Sequence, residues 1–300
     1  MTPPQSLDAR DLFDRWKSSL RGFWRLWRRP VVPVRGLDVR HLNAIAVLLA
    51  CGSTAAVGIM LDEPGFEWSR TLSPPVIHVF AQITRLGDSL YVFALTVAAA
   101  AAAVGLRGRG RGWRFDMAMG VVASRAMYLF VVAAGSGLAS QFLKHLFGRA
   151  RPQLHAKYPD MIGLYHFDLL SIWASYASFP SGHAVTAFAM AAALAFMSPR
   201  VGWPLLLVAC AVGLSRVAIG SHYPSDVVAG AGLGVASAVV ARAAFARRRI
   251  VFEKTPRGVR LRGAGVVAAA LRRRSTQYLR IRLTSLPCTR TLSGPNMRVS

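Results

Sequence analysis

Six stretches of this chain, about Asn43 to Leu61, Leu90 to Leu106, Met117 to Leu143, His183 to Met197, Val201 to Ile219 and Asp226 to Phe245, are long, apolar and nearly free of charge. Several approach the ~20 residues a helix needs to cross ~30 Å of hydrocarbon. Hydrophobic residues make up 53% of the 300 and show no period of two, which favours a membrane protein over soluble domains. The expected fold is all-α: a polytopic membrane helical bundle with six transmembrane helices. The fourth run is short and rich in Ala, so its ends are the least defined. Two further helices are expected at the membrane surface. Residues 8 to 29 place Leu12, Trp16, Leu20, Phe23 and Trp27 at helical spacing among arginines, as an amphipathic helix does. Pro74 to Leu86 repeats the pattern with Val76, Val79, Phe80 and Ile83, as an interfacial helix.

The formal net charge of +24 invites a nucleic-acid reading, but the basic residues concentrate at the two ends and in alternate links between apolar runs. Charge placed this way controls topology. Arg107, Arg109, Arg111 and Arg114 follow the second run, Arg200 follows the fourth, and Arg242, Arg247, Arg248 and Arg249 attend the end of the sixth. Both termini and these links are therefore expected in the cytoplasm. The remaining links face outward, including Asp62, Glu63 and Glu67. Residues 1–40 read as a basic cytoplasmic segment, 41–246 as the six-span domain, and 247–300 as a basic cytoplasmic tail without stable structure. Anionic lipid headgroups, rather than nucleic acid, are the expected partners of the basic ends. Within the tail, Gly265 to Leu271 is the one run able to form a core. Cys51, Cys210 and Cys288 give no paired spacing and no metal pattern. The first apolar run lacks the layout of a cleaved secretory signal and is expected to remain in the mature chain.

Three polar clusters stand at the outward ends of the runs. KHLFGRARP carries Lys144 and Arg151, FPSGHA carries Ser181, Gly182 and His183, and SRVAIGSHYPSD carries Arg216, His222 and Asp226. The charge-derived orientation puts all three on one face of the membrane. Their combined chemistry suits a phosphate. Arginine offers a planar fork of donors to phosphate oxygens and lysine adds a point charge. Ser181, Gly182 and the free amides of a helix N-terminus add further donors, with Gly allowing close approach; Pro180 and Ser181 also start and cap the helix. His222 and Asp226 lie four apart, so on one helix the carboxylate accepts a ring N–H and leaves the other ring nitrogen as a nucleophile toward phosphorus. His183 then serves as acid for the leaving oxygen and base for water. The cations do the work that magnesium does in many phosphoryl-transfer enzymes, so no metal and no cofactor is expected. His145, His155 and His166, with Asp160 and Asp168, populate the outer loop without metal-ligand spacing.

The three clusters resemble the pattern of the type 2 phosphatidic acid phosphatase superfamily, K-x6-RP, PSGH and SR-x5-H-x3-D, at every specified position. The resemblance implies His222 as nucleophile, Asp226 as its orienting partner, His183 as acid/base, and Lys144, Arg151, Ser181, Gly182 and Arg216 as phosphate ligands. It implies a metal-independent lipid phosphatase; the charge-derived orientation puts the active site on the outer face, and the compact layout without a eukaryotic-type targeting signal makes a bacterial inner membrane, with the site periplasmic, the expected home. Undecaprenyl diphosphate, phosphatidylglycerophosphate, phosphatidic acid and the phosphates of lipid A all stand as candidate substrates, and the oligomeric state is open. A lipid phosphotransferase would use the same residues, and a non-catalytic membrane protein with basic recruiting ends is a third reading. The vanadium-dependent haloperoxidases share the pocket but are soluble. The loop from Gln153 to Phe179, rich in aromatic residues, covers the pocket or enters the interface.

Overall fold

The computed structural model describes residues 9–28, 39–107, 112–255 and 258–262. Helix α1 (Ala9–Trp27) is the amphipathic segment, and α2 (Val39–Thr71) contains the first apolar run and continues ten residues past it. Helix α3 (Pro74–Thr84) passes through a short turn of 3-10 helix, Arg85–Gly87, into α4 (Ser89–Leu106). The Asp88 carboxylate caps α4 by accepting the Leu90 N–H at 2.9 Å. Then come α5 (Trp113–Phe147), the short α6 (Pro152–Lys157), α7 (Gly182–Met197), α8 (Pro199–Ala218) and α9 (Pro224–Arg247). Among the described residues four segments are long and apolar enough to cross a membrane: Pro74–Leu106, Trp113–Phe147, Pro199–Ala218 and Pro224–Arg247. Helix α7 is equally apolar but only 16 residues long.

Helix α7 is the axis of the bundle, packed against α5, α8 and α9. Small residues make this possible, because lipid tails are as apolar as Leu and helices in a bilayer associate through close packing. A Cβ on Gly230 of α9 would lie 2.7 Å from the Ser181 carbonyl oxygen, and one on Gly234 would lie 2.5 Å from that of Val185. Neither position accepts a side chain without parting α9 from α7. The outward faces carry the bulk instead: Leu138 and Phe142 on α5 and Leu207 on α8 are each more than 60% exposed, as lipid-facing residues are.

The end of the bundle that holds the basic residues has its own core. Phe252 is fully buried with its ring 5.0 Å from Tyr128, which in turn stacks edge-on against Phe245. Trp27 of α1 meets Phe245 at 5.5 Å, and Arg248 donates to the Trp27 carbonyl while lying over its ring. Residues just past α9 thus correct the expected tail. Strands β1 (Phe252–Thr255) and β2 (Gly258–Leu261) pair antiparallel with Phe252 opposite Leu261, and Ile250, Val251 and Phe252 are buried. One aromatic and two β-branched side chains find a hydrophobic seat between α5 and α9, which the surrounding arginines obscured. The run Gly265 to Leu271 lies outside the described residues.

Candidate active site

At the opposite end, α5 and α8 terminate where α7 and α9 begin, so the three polar clusters meet. Helix α5 stops at Gly148, whose φ of +56° suits glycine and whose N–H closes on the Lys144 carbonyl at 2.9 Å. Lys144 therefore sits in the last helical turn, and its Nζ lies 3.3 Å from where a Cβ on Gly182 would be. Arg151, just beyond, is held by the outer loop: its Nε donates to the Ala174 carbonyl at 2.9 Å and its backbone N–H to Ser175 at 2.9 Å. Burial pulls the Arg151 guanidinium below its ordinary pKa, partly offset by the Asp226 charge.

Ser181 is fully buried at the start of α7, with its backbone N–H on the Asp226 carbonyl oxygen at 3.0 Å. Arg216, in the last turn of α8, donates from Nη1 to Thr84 at 3.0 Å, which ties the end of α3 to the site. Arg216, Lys144 and Arg151 all lie within electrostatic range of the His183 ring. Three buried polar atoms around this point, Ser140 Oγ, Ser181 Oγ and Arg216 Nε, have no hydrogen-bond partner among the described residues. Orphaned donors beside clustered cations are the arrangement an oxyanion completes.

The spacing between Arg216 and His222 is a helix-stop motif. Gly220 has φ +64°, and the N–H groups of Ser221 and His222 both return to the Arg216 carbonyl, at 3.1 and 3.2 Å. His222 is consequently folded back beside the arginine and is 2% exposed. Its Nδ1 lies 2.7 Å from the Ser178 carbonyl oxygen. That oxygen only accepts, so Nδ1 carries the proton and Nε2 of the neutral ring holds the lone pair. Burial pushes the imidazole down to about 4, opposed by the nearby Asp226 carboxylate, so the ring is neutral at pH 7.

Asp226 is placed differently from the expectation. Because Pro224 begins α9, His222 precedes the helix, and the assumed one-turn geometry does not hold. The carboxylate stands 3.6 Å from Nδ1. It accepts instead from Ser178 Oγ at 2.6 Å, the Tyr223 N–H at 2.9 Å and Arg149 Nη1 at 2.7 Å. Asp226 is thus joined to His222 largely through Ser178, whose hydroxyl it holds while the carbonyl of the same residue meets the ring.

Arg149 and Asp62 were not singled out from sequence. Arg149 is 2% exposed; its Nη2 donates to Asp62 at 2.8 Å, and the guanidinium lies 4.2 Å over the Tyr223 ring. Asp62, read as part of an outward link, is instead fully buried within α2 and also accepts the Ser225 N–H at 2.9 Å and hydroxyl at 2.6 Å. Truncating Arg149 alone would strand two buried carboxylates, a loss on the order of 3–5 kcal/mol. Two histidines expected in the outer loop lie on helices and turn to backbone: His145 Nδ1, in the last turn of α5, meets the Ser171 carbonyl at 3.0 Å, and His155 Nδ1, in α6, that of Ile162 at 2.5 Å.

The chain is a membrane lipid phosphatase, a phosphoric ester hydrolase. It belongs to the PAP2 superfamily, whose family pattern matches residues 125–250. A lipid A 1-phosphatase of Rhizobium johnstonii is 31% identical over 245 residues, covering 80% of this chain and 96% of that protein. Another of that name from Rhizobium etli is 39% identical over 178 residues, 59% of this chain and 74% of its own. Among solved structures, a PAP2-type phosphatidylglycerolphosphate phosphatase from Bacillus subtilis aligns with a TM-score of 0.43 and 23% identity, over 66% of this chain and 92% of that one.

Proposed function

We propose that the protein removes the 1-phosphate of a lipid A-type glycolipid by way of a phosphohistidine at His222. The observation that carries the mechanism is the Nδ1 contact with the Ser178 carbonyl, which leaves Nε2 as the free nucleophile. Nε2 donates its lone pair to phosphorus as the P–O bond to the sugar breaks, and His183 supplies the proton that the departing oxygen takes. Water then attacks the phosphohistidine, gives its proton to His183, and the N–P bond breaks, returning the lone pair to Nε2. Lys144, Arg151, Arg216, the Ser181 hydroxyl and the α7 amides beginning at Gly182 stabilise the equatorial oxygens through both steps. Similarity to a lipid A 1-phosphatase along almost its whole length supports the substrate class.

In this reading α2, α4, α5, α7, α8 and α9 make six spans, with both termini in the cytoplasm and the site on the periplasmic face of a bacterial inner membrane. Phosphate release is to be measured on lipid A, undecaprenyl diphosphate, phosphatidylglycerophosphate and phosphatidic acid, with chelator present and with a candidate acceptor lipid added. Preferential release from lipid A, insensitive to chelator, is expected. Preference for another lipid overturns the substrate assignment, and transfer of phosphate to the acceptor in place of release overturns hydrolysis.

A further inference from the structure

The buried group formed by Asp62, Arg149 and Asp226 has more negative charge than it needs for its own neutrality. Asp62 and Asp226 are fully buried and Arg149 nearly so, and the single guanidinium donates to both carboxylates, at 2.8 and 2.7 Å. Two negative charges against one positive leave the trio at −1, next to an imidazole. Asp62 comes from α2, far in sequence from the three clusters, yet grips Ser225 on the first turn of α9 with both oxygens. Arg149 is also held by the Leu164 carbonyl at 3.3 Å. Among the described residues the trio's links toward the chemistry run through Asp226: its carboxylate holds Ser178, which holds His222, and its carbonyl oxygen accepts the Ser181 N–H.

We propose that Asp62 and Arg149 are positioning residues of the phosphoryl-transfer site, setting with Asp226 a buried net charge of −1 that stabilises the positive charge His222 acquires when phosphorylated. The inference rests on the phosphohistidine reading above. When Nε2 bonds to phosphorus while Nδ1 keeps its proton, the ring becomes cationic inside a site already containing Arg151 and Arg216. Those two cations act on the His222 ring electrostatically from the outer loop and α8, and Asp226 does so from α9, 3.6 Å away. An isolated Asp226 would supply the same −1, but two hydrogen bonds from one shared Arg149 also fix the carboxylate's direction. Asp62 is what lets Arg149 bind Asp226 without cancelling it.

The test follows the charge count. Arg149→Met leaves the group at −2, Asp62→Asn leaves it at zero, and the double variant returns it to −1. Histidine-labelled protein in micelles, with the His222 resonance assigned by its loss in His222→Ala, gives the ring's titration midpoint; phosphate release gives kcat and KM. The midpoint is expected to rise in Arg149→Met, fall in Asp62→Asn, and return toward the parent value in the double variant. Asp62→Asn is expected to lower kcat about tenfold or more with KM nearly unchanged, and the double variant to recover part of that loss. A His222 midpoint indifferent to all three changes, or a double variant further from the parent than either single, overturns the proposal in favour of simple packing. Parent protein that releases phosphate from none of the lipids refutes the functional reading, and the midpoints still decide the electrostatic one.

Discussion

Replacing Gly182 by Ala adds one carbon that would lie 3.3 Å from Lys144 Nζ, 3.9 Å from its Cε and 3.9 Å from Ser140 Oγ. Gly182 is the first residue of α7 and its φ is not positive, so alanine fits the backbone without strain. Restricting the unfolded chain then stabilises the protein by roughly 0.4–1 kcal/mol, or about 1–4 °C in Tm for a domain of this size. The effect on chemistry has the opposite sign. The methyl lies against the Lys144 ammonium at the start of α7, so it displaces the lysine by a few tenths of an ångström and narrows the space proposed for a phosphate oxygen. A misplacement on that scale is expected to lower kcat/KM by about 10- to 100-fold, ~1.4–2.7 kcal/mol of transition-state stabilisation. Thermal unfolding in detergent and steady-state phosphate release on one preparation read both quantities. A Gly182→Ala protein with raised Tm and kcat/KM within about twofold of the parent would show that no phosphate oxygen approaches that backbone.

Two further outcomes follow from the same geometry. His222 lies in the turn outside α8 and α9, and its pKa is depressed from 6.5 to about 4. Between those values the unfolded chain binds a proton that the folded one refuses, so this residue's contribution to stability is intact above pH 6.5 and is lost as pH falls toward 4. The His222 ring stays neutral until about pH 4 in the free protein, so in initial-rate measurements a His222 limb of kcat/KM is expected only there; a His222 limb near 6.5 would contradict the burial. Gly148→Ala is expected to damage folding as well as activity. Left-handed backbone costs alanine about 1–2 kcal/mol, and the added Cβ would overlap the Asp168 carbonyl oxygen. A Tm equal to the parent's would refute the assigned turn.

The bundle and the three clusters were legible in the sequence for different reasons. Apolar length marks membrane helices directly, and the clusters have fixed internal spacing. The four-residue spacing of His222 and Asp226 gives a shared helical face only where the segment is helical, and Pro224 between them marks a helix start instead, so the two meet at 3.6 Å by a turn and not along one helix. Arg149 lay within the unspecified stretch of its motif, and only the reversal at Gly148 turns it inward onto Asp62 and Asp226 while Arg151 meets the outer loop. Asp62 contacts residues more than 80 positions away, and its neighbours Glu63 and Glu67 are exposed, so local pattern marked it as surface. The basic hairpin after α9 was hidden for the converse reason: its charge is local, while the ring of Phe252 is buried by distant Tyr128.

Whether His222 accepts the phosphoryl group at Nε2 is tested by rapid quench of the purified protein with 32P-labelled lipid substrate. An acid-labile, alkali-stable label on a peptide containing His222, formed faster than turnover and absent in His222→Ala, is the predicted result. Phosphate release with no such label, or release undiminished in His222→Ala, would contradict it.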